Sequence, residues 1–494
     1  MRIFSKRRSL VIVSAVLGLW VPLLHVPVHA QSGKFSSTEA RAHYEKALEL
    51  GEKPQWRGAL LELNRALQYE SNNSEILVEL GITLGELKEW DQAIKVLKRA
   101  VELAPNSVRA HYNLAATLDR ASPGQRLGIP EYRRALKIDP TDVGSLINLA
   151  SNVGDRNSAE ARKLLELALR TDPKSARAHF NLALLSKNAG DMQGSFKGLQ
   201  KAVELEPETS EFRRQLLSLL LSQSRWDEAI IQCQQLLKQN VADWNSRYTL
   251  GRILISRGKE EEGERELQKA QEIRQSQQKR ETVQEMIKHG TSALTQGKVE
   301  EGIKQFTAAL EIDKGSSEAC MYLGVAMAAA GHLDQGIENL NRAIEMDPSS
   351  PRVHHNLGTL FLQAGRIDLA QHEFERALEL DPYFPEAHNN LGLIFSRNNQ
   401  GSKAIDHFRV ASELNPQYLE AFFNLGLALR SVNRVEEAVR AFQEAAKVAP
   451  DNAQVQYALG MALKDKGDLA GAKQAMDRAN TLQGQIRPSS SNQR

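Results

Sequence analysis

The chain has 494 residues, 41% of them apolar and 25% charged, and a net charge of only +2. That near balance removes the electrostatic case for a nucleic-acid-binding protein. By length alone the chain would divide into about three domains, but its internal periodicity overrides that prior.

Residues 1–30 read as a secretory signal. Basic Lys6-Arg7-Arg8 precede an apolar run from Leu10 to Val21, and Val28-His29-Ala30 forms a small-residue cleavage site. The run is short for a membrane span, and Pro22 and Pro27 interrupt it. The expectation is export with cleavage, giving a periplasmic or secreted chain that starts near Gln31 and does not span a membrane. An uncleaved anchor is the alternative. The segment holds Arg2, Lys6, Arg7 and Arg8 and no acid, so removing it turns the balance to −2. Residues 31–39 form a polar leader.

From 40 to 486 the sequence repeats. The unit 351–384 shows the pattern. Its first half places Val353, Leu357, Leu360 and Phe361 on one helical stripe and stops at Gly365. Its second half reads as a helix capped by Asp368, with Leu369, Ala370, Phe374, Ala377 and Leu378 along it. Asp381-Pro382 ends it, since proline cannot continue a helix. Gly358, Gly392, Gly426 and Gly460 recur every 34 residues, as do Ala370, Ala404, Ala438 and Ala472. Ala377, Ala411, Ala445 and Ala479 form a third series. Small side chains at these places let helix backbones approach closely.

Thirteen such units cover 40–73, 74–107, 108–142, 143–175, 176–209, 210–243, 244–277, 283–316, 317–350, 351–384, 385–418, 419–452 and 453–486. The first is degenerate, with Pro54 in its turn and Ser71 in place of the closing proline. The third has a Pro/Gly-rich turn over 122–130, so its second helix starts late, and the fourth is one residue short. Closing prolines disappear between 233 and 316. Five extra residues, 278–282, interrupt the phase inside a charged run and read as an insertion or hinge. They separate a block of seven repeats (40–277) from a block of six (283–486). The tail 487–494 reads as disordered.

This pattern resembles the tetratricopeptide repeat family. The resemblance implies an all-α, right-handed superhelical solenoid of about thirteen helix-turn-helix repeats, in which each unit touches only its neighbours.

Catalytic constellations are not expected. His372-Glu373 begins a zinc-protease pattern, but Arg376 stands where the second histidine belongs. Gly297-Lys298 is an inter-helix turn, not a phosphate loop. Cys233 and Cys320 lie more than two units apart, too far for a disulfide, and read as buried free thiols. His43, His111, His179, His354 and His388 share repeat position 4. Units are offset by roughly 10 Å, far beyond a shared metal, so these read as packing residues. No metal, cofactor, small-molecule substrate or enzymatic activity is expected.

What remains is surface. In the family the first helix of each unit lines a concave groove. Position 6 carries Asn113, Asn148 and Asn181 in one block and Asn356, Asn390 and Asn424 in the other. This is similar to the asparagine ladder of the O-linked N-acetylglucosamine transferases, which grips an extended peptide backbone. An amide both donates and accepts, which suits pairing with any peptide group. Position 5 adds Tyr112, Phe180, Phe423 and Tyr457, and positions 12 and 13 add Arg397 and Arg430. The resemblance implies a protein or peptide partner, held by an exported, non-enzymatic scaffold. A second expectation is an accessory subunit of an envelope assembly or secretion machine that binds folded partners; a glycosyltransferase-associated role is more remote. No residues outside the repeats could form a sugar-nucleotide domain.

Overall fold

The computed structural model describes residues 35–486, with side chains to 483. The expected signal segment 1–30 and the tail 487–494 lie outside the described residues. Within them the chain is an all-α repeat solenoid with 25 helices.

The helices come as antiparallel hairpins, each pair matching one repeat. In the first unit these are α1 (Thr38–Glu52) with α2 (Trp56–Tyr69), α3 (Ser74–Glu86) with α4 (Trp90–Leu103), and α5 (Val108–Ala121) with α6 (Ile129–Ile138). They continue through α7 (Val143–Val153) with α8 (Ser158–Thr171), α9 (Ala176–Asn188) with α10 (Met192–Leu205), and α11 (Ser210–Ser222) with α12 (Trp226–Gln239). Next comes α13 (Trp244–Ser256), followed by the long α14 (Glu260–Thr295). The second unit holds α15 (Val299–Ile312), α16 (Ser317–Ala329) with α17 (Leu333–Met346), and α18 (Pro351–Gln363) with α19 (Ile367–Leu380). It closes with α20 (Pro385–Arg397) and α21 (Gly401–Leu414), α22 (Leu419–Ser431) and α23 (Val435–Val448), and α24 (Ala453–Lys466) and α25 (Leu469–Ile486).

Thirteen hairpins would need one helix more than is present. The difference is α14. It contains the second helix of the seventh repeat, residues 278–282 and the first helix of the eighth as one element of 36 residues. Residues 274–281 are exposed all round it. Its charged, helix-forming composition and the missing proline leave nothing to stop the helix. The division between the two units falls inside it, between Gln271 and Glu272.

Each hairpin is held by the small-residue positions. Ala370, Ala404 and Ala438 are fully buried, as are Ala377, Ala411 and Ala445. A Cβ on Gly358, Gly392 or Gly426 would meet the ring of Phe374, Phe408 or Phe442 at 2.8, 2.6 and 2.6 Å. The glycine is there because an aromatic ring of the second helix lies flat on the first. Those rings are 0%, 1% and 0% exposed, and burying each is worth about 2–3 kcal/mol.

Gly365 closes α18 with φ +71, in the left-handed region. The expected cap at Asp368 is corrected. α19 begins at Ile367 behind Arg366, with no side-chain cap, and Asp368 sits inside the first turn. Its charge still suits the positive end of the helix dipole. The late second helix of the third repeat is seen as α6, of only 10 residues.

Candidate functional site

The position-6 asparagines lie on the first helices, and four of the six reach across to the preceding repeat through their amide nitrogens. Asn424 Nδ2 donates to Asn389 Oδ1 at 3.0 Å, and Asn390 Nδ2 lies 3.0 Å from His355 Nε2. Asn148 Nδ2 donates to the Tyr112 hydroxyl at 3.2 Å. In these three cases position 6 bonds to position 5 of the preceding repeat. Asn181 Nδ2 reaches Ser151 Oγ at 2.9 Å, and Asn113 Nδ2 turns back to the Arg109 carbonyl at 2.9 Å. Asn148, Asn181, Asn390 and Asn424 therefore staple adjacent repeats, and spacing alone did not reveal that role.

Two expected groove aromatics are corrected. Tyr112 and Phe180 are 3% and 0% exposed. Tyr112 packs on the Tyr132 ring at 6.0 Å and covers Gly144, whose missing side chain leaves room for it. Burial pushes its hydroxyl up to about 12. Phe180 lies 4.6 Å from Phe212, with the Arg177 guanidinium over both rings. Asn113 is likewise fully buried.

The C-terminal part of the row differs. Tyr457 is 52% exposed and Leu427 is 42% exposed, on α24 and α22. Phe423, Asn356, Asn390 and Asn424 are half-buried, and Arg397 is exposed. Arg430 Nε donates to Asp465 on the next first helix at 2.6 Å. Similar cross-repeat pairs join Arg120 to Glu86 (2.8 Å), Arg109 to Glu75 (2.7 Å) and Glu79, and Arg177 to Glu211 (2.8 Å). Much of the charge on the first helices thus bonds one repeat to the next.

A half-buried carboxylate accompanies the Tyr112 cluster. Asp119 accepts from the Gly128 N–H and from Asn152 Nδ2, both at 2.8 Å, yet burial still holds its carboxyl above the usual range.

Position 4 proved to be a polar latch, not merely a packing site. His111 Nε2 lies 3.0 Å from the Pro105 carbonyl, six residues back, while Nδ1 faces Glu131 at 2.7 Å. His354 does the same with Pro348 and Glu373. Arg213 bonds to the Pro207 carbonyl and Gln232, and Arg247 to the Val241 carbonyl and Glu266. Gln456 donates to the Pro450 carbonyl at 3.0 Å. Each ties the closing residue of one repeat to the next hairpin and satisfies a carbonyl freed at a helix end. The signal in the sequence was the coincidence of a polar residue at position 4 with another 19 or 20 residues later.

Cys233 and Cys320 are both buried and unpaired, and burial pushes the Cys233 thiol up to about 12. Among the described residues, no three His, Cys, Asp or Glu side chains stand in a metal-binding group, and no helix is long and apolar enough to cross a membrane.

Family models described as tetratricopeptide repeat match residues 152–208, 355–418 and 423–486, and residues 293–359; another, described as TPR repeat, matches 84–120. A comparison with curated proteins finds no match. Among solved structures the chain is similar to YrrB, described as "a TPR protein with an unusual peptide-binding site", with 23% identity and a TM-score of 0.32 over 36% of this chain and 92% of that one. It is similar to pilF of Pseudomonas aeruginosa with 20% identity and a TM-score of 0.39, over 43% of this chain and 95% of that one. The Cut9–Hcn1 hetero-tetramer of the APC/C gives 15% identity and a TM-score of 0.37 over 90% and 94%. Repeat models matched in both units, over helix hairpins of the expected period, place this chain in the tetratricopeptide repeat family.

Proposed function

We propose that the chain is an exported, non-enzymatic scaffold that takes extended segments of partner proteins along the face carried by its first helices. The observation that carries this reading is the exposure of Leu427 and Tyr457, 42% and 52%, on first helices of successive repeats in the second unit. The Tyr457 ring is of the kind that supplies contact area at interfaces, and half-buried Asn390 and Asn424 also stand on first helices of this unit. Their amide hydrogens are engaged with neighbouring repeats. A bound backbone would therefore meet their carbonyl oxygens and donate its N–H groups to them. The likeness to the asparagine ladder of the O-linked N-acetylglucosamine transferases belongs to this proposal. So does export, which rests on the sequence of residues 1–30.

The test is a peptide-display selection against residues 31–494. Leu427→Ala with Tyr457→Ala should weaken an enriched peptide by a factor on the order of 100, at about 1.4 kcal/mol for each side chain. No enriched peptide, or unchanged binding by a folded double variant, turns the reading toward folded partners held on another surface. Export is checked separately by sequencing the N-terminus of protein made in its host. A start at Gln31 supports cleavage, and a start at Met1 refutes it.

A further inference from the structure

The latch of the α20–α21 hairpin is unlike its siblings. In three other repeats the position-4 histidine faces a carboxylate: His43 with Glu62, His111 with Glu131, His354 with Glu373. In α20 it is His388, and it faces His407 of α21. The two Nδ1 atoms are 2.9 Å apart and the ring centroids 5.1 Å apart. The nitrogen separation and the two ring radii together account for the centroid distance, so the nitrogens point at each other.

The hydrogen positions follow from the partners. His388 Nε2 lies 3.1 Å from the Pro382 carbonyl, which can only accept, so Nε2 carries a hydrogen. Neutral His388 then has a bare Nδ1, and the hydrogen between the rings belongs to His407. A second proton, on His388 Nδ1, would set two N–H groups head to head. A proton on His111 or His354 instead meets a carboxylate. The same helix makes a second contact of this kind. An amide nitrogen can only donate, so Asn390 Nδ2 requires a bare Nε2 on His355 of α18. Protonating His355 removes that acceptor. Helix α20 is thus joined to α21 through an imidazole pair with room for one proton between the rings, and to α18 through an imidazole whose protonation forces the Asn390 amide to turn over.

Charged groups surround these rings. Asp381, in the turn before α20, acts on His388. Glu375 of α19, with Asp406 and Lys403 of α21, acts on His407. Glu386 of α20 and Arg352 of α18 act on His355. Burial outweighs them. It lowers all three imidazoles, His388 from 6.5 to about 4.

We propose that the His388–His407 and Asn390–His355 contacts make α20–α21 an acid-sensitive joint, which loosens from its neighbours under acid while the histidine–carboxylate repeats hold. The sign is that of a base depressed by folding. The unfolded chain takes up protons near 6.5, and folded His388 only near 4. Stability is therefore complete above about 6.5 and drains away toward 4. Since α20 also carries Asn389 and Asn390, acid would break the asparagine row. That consequence rests on the groove reading; the joint does not.

The experiment is hydrogen exchange on residues 31–494, corrected for intrinsic rates. Between about pH 7 and about pH 4.5, the opening constant of α20–α21 should rise on the order of 100-fold, and that of α5–α6 much less. His407→Glu copies the pairing of His111 with Glu131, and His388→Gln copies the Gln456 bond to the Pro450 carbonyl. Each should remove most of the rise. Parallel opening of the two hairpins, or an undiminished rise in both variants, overturns the proposal. A selected peptide that stays bound at low pH while α20–α21 is open counts against the groove reading and leaves the joint standing.

Discussion

The first helices of repeats three to five and of repeats ten to twelve carry asparagine at the same position, yet these two regions present different surfaces. In the first region Asn113 and Asn181 are buried, and Tyr112 and Phe180 turn into the core. In the second, Asn390 and Asn424 are half-buried beside exposed Leu427 and Tyr457. The cause is local. Gly144 leaves a hollow that the Tyr112 ring fills, and Phe212 offers Phe180 an aromatic face. A repeat position thus fixes which way a residue starts out from its helix. The neighbour one repeat away decides whether it stays in solvent.

The sharpest way to break this comparison is to truncate one aromatic from each region. Phe180→Ala should cost about 3–5 kcal/mol, because it opens a cavity in a closed core. Tyr457→Ala should cost less than about 1 kcal/mol. Urea unfolding of the two variants reads both, and equal costs would mean that exposure does not separate the regions.

Gly144→Ala comes next. Its Cβ would meet the Tyr112 ring at 2.8 Å, so the ring must move outward, at about 1–3 kcal/mol. Tyrosine fluorescence and the unfolding midpoint should shift together. No shift in either would remove the stated reason why Tyr112 is buried.

Asn390→Ala should cost about 1 kcal/mol through its lost bond to His355, with exchange rising in both α18 and α20. A variant as stable as the parent would return the asparagines to a purely ligand-facing role.

The smallest effect is at the hairpin turns. Ser224 and Asn399 both hold positive φ, 56° and 57°. Ser224→Gly should stabilise by about 1 kcal/mol, and Asn399→Gly by less, since asparagine tolerates this conformation better. Thermal melts should rank the two in that order.

By itself the sequence determined the hairpins, their period and their register. These depend on short-range rules: apolar spacing, a proline that cannot continue a helix, a glycine where a ring must lie flat. Gly392 and Phe408 are 16 residues apart, and their fit follows from one repeat read alone. The absent prolines and the charged run marked the place where two helices fuse into α14, although 278–282 read there as an insertion or hinge. Tertiary structure alone decided what lies between repeats. It set which aromatics reach solvent and which asparagine hydrogens bond across to the preceding repeat. Those outcomes depend on side chains about 34 residues apart meeting across a packed interface. Burial and hydrogen-bond partnership there belong to the pair and cannot be read from either residue alone.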